Sequence, residues 1–267
     1  MKDETASHAG DEPSKELDLG VRERLAGAAR SRSDIYRALA IGFSEPDEDL
    51  HDALAAGSPL GVGPAEAAVA SATAPDAGSL VRKLTAAVEW LGADARLYGS
   101  ALQTLTAAGA ACPPLPELAA EYARLFTGPG RAAVGRFASQ YLDEPGPDGH
   151  PRLYGPATTA VLAAYEAQGV APRIRLGEPG DDVATELEFL AWLSSREEQQ
   201  WSEGPTEEAL SLRLSSNGFL REHCATWWPA FAEAVLGQAR TPVYRGFAQL
   251  LAAHLMIELG YPYASAP

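Results

Sequence analysis

Apolar residues recur every three or four positions from Val21 to Leu259, and no segment alternates apolar with polar convincingly enough to read as a strand. The first period stacks side chains on one face of an α-helix, whereas a half-buried strand needs a period of two. An all-α fold follows, a single compact helical domain of roughly 9–11 helices over residues 21–267 with one long Gly/Pro-rich loop. Met1 to Gly20 reads as a disordered acidic tail, too polar to offset its own ordering entropy.

Punctuation within the pattern sets the expected helix ends. Leu25, Ala28, Ile35, Leu39 and Phe43 mark a first helix, with a candidate interruption at Ser31-Arg32-Ser33-Asp34, and it ends near Ser44-Glu45-Pro46. Leu50 and Leu54 mark a short helix over Asp47–Ala56, and Ser58–Gly63 is a Gly/Pro connector before Ala-rich segments on both sides of Pro75. Ser79 is a cap for the helix carrying Leu80, Leu84 and Val88, and Asp94 for one carrying Leu97, Leu102 and Leu105. Pro156 opens a helix that Gly169 closes, Asp181 or Asp182 starts one reaching about Trp201, and Thr241-Pro242 opens the last. Between Thr206 and Leu236 the dipeptide Asn217-Gly218 is expected to break the helix.

The charge balance narrows the partners. With 36 acidic against 21 basic residues the net charge is −15, which disfavours a nucleic-acid backbone and favours encounter with a basic ligand. Cys112 and Cys224 belong to no Cys-x-x-Cys pair and are expected as buried thiols. No run of about 18 apolar residues is present, and the first twenty residues lack a signal-peptide pattern, so a cytoplasmic, non-inserted protein is expected. Phosphate loops, dinucleotide fingerprints, His-Glu-x-x-His and Gly-x-Ser-x-Gly are absent, so no enzyme, no metal and no cofactor are expected.

The most informative segment is Glu121-Tyr122-Ala123-Arg124-Leu125-Phe126-Thr127-Gly128-Pro129-Gly130, where an aromatic helix edge runs into a Gly/Pro-broken loop containing Ser139-Gln140-Tyr141. Residues 127–155 are too long for an ordinary connector, and loops of that length are usually functional. Two landmarks follow, Glu178-Pro179-Gly180-Asp181-Asp182-Val183 with Glu186-Leu187-Glu188-Phe189, and Phe219-Leu220-Arg221-Glu222-His223 with Trp227. In this order, over about Ser33 to Leu259, the chain resembles the TorD/DmsD family of redox-enzyme maturation chaperones, with nitrate reductase assembly chaperones as close relatives.

The resemblance implies a chaperone of a molybdenum oxidoreductase. Its partner is the apo catalytic subunit with a twin-arginine leader, held while cofactor is inserted and export is delayed; a second copy of the chain is a further candidate partner. The leader-binding residues it implies are Tyr122, Leu125, Phe126, Gly128, Pro129 and Tyr141 as an apolar groove, with Asp181, Asp182 and Glu186 as an acidic lip. Packing is the competing reading of the aromatic stripe, and helix capping that of Asp181 and Asp182. The family pattern has Asp-His where Asp181-Asp182 stand, which removes any imidazole role and puts the family's nucleotide binding here in doubt. His223, Trp227 and His254 are expected as interior packing residues. The alternatives are assembly of a non-exported nitrate reductase subunit, a helical scaffold with no client-folding role, and a metal-dependent small hydrolase using the carboxylates near Asp181.

Overall fold

A computed structural model describes residues 17–56, 80–91, 95–128, 132–147, 149–151, 153–171 and 179–260. The expectations for the tail up to residue 16, the Ser58–Gly63 connector, the segments around Pro75, the caps Ser79 and Asp94, Pro129 and Glu178 lie outside these residues. Among the described residues the chain is all-α, and the extended pairing reported is one isolated antiparallel bridge, Phe137 with Asp182.

The helices are α1 Leu19–Gly42, α2 Glu48–Ala55, α3 Leu80–Trp90, α4 Ala95–Ala110, α5 Leu115–Tyr122, α6 Ser139–Leu142, α7 Pro156–Ala167, α8 Val183–Glu203, α9 Thr206–Glu222, α10 Trp228–Gln238 and α11 Pro242–Glu258. A π-turn, Ala123–Thr127, extends α5, and a 3₁₀ turn, Cys224–Thr226, precedes α10. The principal packed pairs are α1 on α8, α4 on α11, α8 on α9, α1 on α3 and α10 on α11. Close approach is possible where a glycine faces a neighbour. A Cβ on Gly42 would sit 2.5 Å from the Phe247 ring, and one on Gly246 2.7 Å from the Leu105 side chain.

α1 runs unbroken through Ser31-Arg32-Ser33-Asp34 because tertiary partners take up the polar groups. Ser33 Oγ donates to the Ala191 carbonyl of α8 at 2.9 Å, and Arg32 reaches both oxygens of buried Glu197 at 2.7 Å. Polar side chains that would otherwise compete for their own backbone are spent across the interface instead.

The second departure concerns α9, which passes straight through Asn217-Gly218 and stops at Glu222. The physical stop is Pro229, in the first turn of α10: a continuous helix would drive its ring into the carbonyl of Ala225 and leave that carbonyl unbonded. Hence the chain relaxes through a 3₁₀ turn before restarting. On α4 the fully buried face is Tyr98, Ala101, Leu105 and Ala108, with Leu102 packed against the core partly buried and Leu97 at the margin. Tyr98 is kept inside because its hydroxyl pairs with His254 Nδ1 at 2.7 Å, and burial lowers the His254 pKa to about 4. Cys224 is buried as expected, whereas Cys112 is only half-buried.

Candidate functional site

The end of α5 places Tyr122, Leu125 and Phe126 in the core, then opens into a π-turn whose carbonyls are used by the returning chain. Val134 N donates to the Leu125 carbonyl at 2.8 Å and Ala133 N to that of Arg124 at 3.3 Å. Such insertions in a helix recur at functional sites because they re-aim the side chains around them. Here the π-turn leaves a groove of about 630 Å³ whose lining includes Phe126, Gly128, Val134, Tyr141, Leu153 and Ala234.

The described stretch 132–147 is held by specific hydrogen bonds. Gln140 Oε1 accepts from the backbone N–H of Arg136 and Phe137, at 2.8 and 3.1 Å, which caps the approach to α6. Tyr141 is half-buried, donates from its hydroxyl to the Gly135 carbonyl at 2.8 Å, and packs on Trp227 with ring centroids 5.3 Å apart. Burial pushes its phenol up to about 12, so it is a neutral donor.

Asp181 and Asp182 hold this loop from behind. Asp181 Oδ2 accepts from Ser139 N at 2.7 Å and its Oδ1 from Thr158 Oγ1 at 3.0 Å, tying α6 and α7 to the start of α8. Asp182 caps α8 through Ala184 N at 2.9 Å and forms a two-pronged ion pair with Arg136, Nη2 to Oδ1 at 2.8 Å and Nε to Oδ2. Arg136 also donates to the Tyr122 hydroxyl and lies 5.8 Å from the centroids of the Tyr122 and Phe137 rings. A cationic partner therefore explains a carboxylate at the position where the family pattern has histidine.

Glu186 is wholly interior. Its Oε2 accepts from Trp228 Nε1 at 2.9 Å and Trp227 Nε1 at 3.1 Å, while Oε1 is buried without a partner. Burial pushes its pKa well above the carboxylate range, opposed by the two indole bonds and reinforced by Asp181 and Asp182, so the group is held as a neutral acid.

Of the residues expected to bind a leader, Phe126, Gly128 and Tyr141 meet at one groove. Tyr122 and Leu125 lie in the core beside it, and Pro129 lies outside the described residues. Asp181, Asp182 and Glu186 are 0%, 4% and 0% exposed and do not form a lip, because the loop and α10 use their oxygens. The described lining of the groove contains no carboxylate. Across α6 a hollow of about 300 Å³ is bordered by Leu142, Asp143, Glu222 and half-buried His223.

Sequence reasoning missed Arg136, Gln140, Val134 and Ala234. Arg136 shares its Gly-rich stretch with Arg131, and its partner stands 46 positions away, a separation with no local signal. Among the described residues no group of three or more His, Cys, Asp or Glu is suited to hold a metal ion, and no helix is long and apolar enough to cross a membrane.

Comparison with known proteins places this geometry in a family. The chain is 27% identical over 145 residues to the chaperone protein TorD of Aliivibrio fischeri, covering 54% of this chain and 64% of that protein. It is 34% identical over 117 residues to the chaperone protein TorD of Vibrio cholerae serotype O1 (strain O395), covering 44% of this chain and 49% of that protein. The chain thus spans less than two thirds of the length of these relatives. A crystal structure described as a putative redox enzyme maturation protein from Archaeoglobus fulgidus matches at 19% identity and a TM-score of 0.45, covering 84% of this chain and 93% of that one. The family profile for the nitrate reductase delta subunit matches residues 92–233, more than half of the chain and the stretch that contains α5, the loop and the Asp181-Asp182 clamp, so the chain belongs to the family of the nitrate reductase delta subunit and the TorD chaperones.

Proposed function

We propose that the protein is a cytoplasmic, non-catalytic chaperone that holds the apo catalytic subunit of a molybdenum oxidoreductase by its N-terminal twin-arginine leader. The observation that carries this reading is the groove at the end of α5, where Phe126 of the π-turn and Gly128 just after it meet Tyr141 of α6. The groove's described lining is mainly apolar, with His150 as its one imidazole and no carboxylate or cysteine beside it to complete a catalytic or metal-binding set, which suits an apolar peptide better than a reaction.

The leader's apolar stretch packs in the groove. Its arginines cross α6 toward Asp143 and Glu222, which border the neighbouring hollow, since the interior carboxylates are out of reach. Burying two or three Leu-sized side chains contributes roughly 4–8 kcal/mol before ordering costs of several kcal/mol. The net affinity is then on the order of micromolar, which suits reversible holding until the cofactor has entered.

Calorimetry with a synthetic peptide of two arginines followed by a Leu/Ala-rich stretch tests this. Ala234→Trp fills the groove without removing a core side chain and is expected to weaken binding by about tenfold or more. Glu222→Lys is expected to weaken it by a smaller factor that shrinks with added salt. Full affinity in Ala234→Trp overturns the groove as the peptide site.

A second reading has its own support in the family profile, whose name is that of a nitrate reductase subunit. In that case the client is a non-exported nitrate reductase subunit and the peptide bound is its N-terminus without a functional leader. Co-purification of the client and sequencing of its N-terminus separate the two.

A further inference from the structure

We propose that Glu186 is a positioning residue for the groove: through the Trp227 indole it fixes the two aromatic walls, Tyr141 and Phe126, against which an apolar chain segment packs. This rests on the reading of the groove as a peptide site.

One wall meets the Trp227 ring directly and the other through a single intervening ring, Phe231. Trp227 is fully buried and contacts Tyr141 at 5.3 Å between centroids on one side. On the other it meets Phe231 at 5.6 Å, and Phe231 stacks on Phe126 at 6.1 Å. Rotation of the Trp227 indole would therefore displace material behind both walls at once. The polar tie on that indole is Glu186 Oε2, shared with Trp228. A single acceptor binding two adjacent indoles sets the orientation of each relative to α8, and α8 is itself anchored along α1 and α9.

The surroundings require that acceptor to be uncharged. Facing Glu186 are Asp181 and Asp182 at the head of α8, the Tyr165 hydroxyl from α7 and the Cys224 thiol from the 3₁₀ turn. The cation nearby, Arg136, is committed to Asp182 and Tyr122. A neutral carboxyl oxygen and an amide oxygen are equivalent acceptors for an indole N–H, so glutamine can do the same work and leucine cannot.

The test uses the full chain with 3-fluorotyrosine incorporated, the Tyr141 fluorine signal being identified by its loss in Tyr141→Phe. Glu186→Gln is expected to keep that signal in place and to bind the arginine-plus-Leu/Ala peptide within about twofold of wild type, whereas Glu186→Leu and Trp227→Phe shift the signal and weaken binding by about tenfold. Raising pH toward the ionisation of Glu186 is expected to move the signal in wild type and leave Glu186→Gln flat, a readout that mere loss of packing does not give. If Glu186→Leu does not fold, Trp227→Phe and the pH series decide. An unmoved Tyr141 signal in Trp227→Phe, or a Gln variant that behaves like Leu, overturns the assignment. If the signals respond as expected but wild type binds no peptide, the positioning stands and the peptide-site reading falls.

Discussion

Arg136 and Asp182 form a two-pronged buried ion pair that locks the loop ahead of α6 onto the first turn of α8, and the same guanidinium reaches the Tyr122 hydroxyl on α5. Three segments separated in sequence thus share one charge pair directly behind the groove.

Removal of one partner is expected to cost far more than removal of both. Asp182→Ala strands a buried guanidinium and should destabilise the fold by about 3–5 kcal/mol, while Arg136→Met with Asp182→Ala should cost clearly less than the sum of the single changes. Urea denaturation of the four proteins measures this cycle. Additive costs would mean that the pair is not the unit described. Asp182→His, which restores the residue of the family pattern, is expected to destabilise as well, because imidazole brings no negative charge to Arg136.

Glu186 sets a pH dependence of definite sign. Its folded pKa is raised above the unfolded value, so its contribution is fully present below the unfolded pKa and is lost as pH rises toward the folded pKa. Glu186→Gln is therefore expected to match wild type near pH 4 and to become the more stable protein at neutral pH. The gap grows by at most about 1.4 kcal/mol per pH unit in that window. Thermal melts of both proteins from pH 4 to 8 read the difference directly, and parallel curves would refute a neutral Glu186.

Gly218 sits inside α9, where an added Cβ meets no atom within 4 Å. With space available and helical backbone already adopted, Gly218→Ala is expected to stabilise by about 0.5–1 kcal/mol. The corresponding rise in Tm is roughly 1–4 °C. A lower Tm would indicate that α9 does not run continuously through Asn217-Gly218.

The two thiols are expected to separate by reactivity. Burial raises both pKa values, that of Cys224 much further, and Cys112 alone is partly exposed. A disulfide reagent should therefore modify Cys112 slowly in the native protein and Cys224 only after denaturant is added. Equal native rates would place Cys224 nearer the surface than the fold allows.

The sequence determined what depends on neighbours in the chain. Period and punctuation located α2 within Asp47–Ala56, α7 between Pro156 and Gly169, α8 from Asp181 or Asp182 and α11 from Pro242, because caps and breakers act within one turn. They also marked the aromatic helix end and the Gly/Pro loop after it, and the family resemblance of that segment implied Phe126, Gly128 and Tyr141, which line one groove. Tertiary structure alone decided the rest. Asp181, Asp182 and Glu186 carry the residue types of an acidic lip, and only the distant Arg136, Ser139, Thr158, Trp227 and Trp228 turn them inward, since a carboxylate's exposure depends on which donors the fold brings to it. The same holds for α1 at Ser31-Arg32-Ser33-Asp34, where partners on α8 more than 150 positions away keep continuous a helix that local chemistry would have allowed to break.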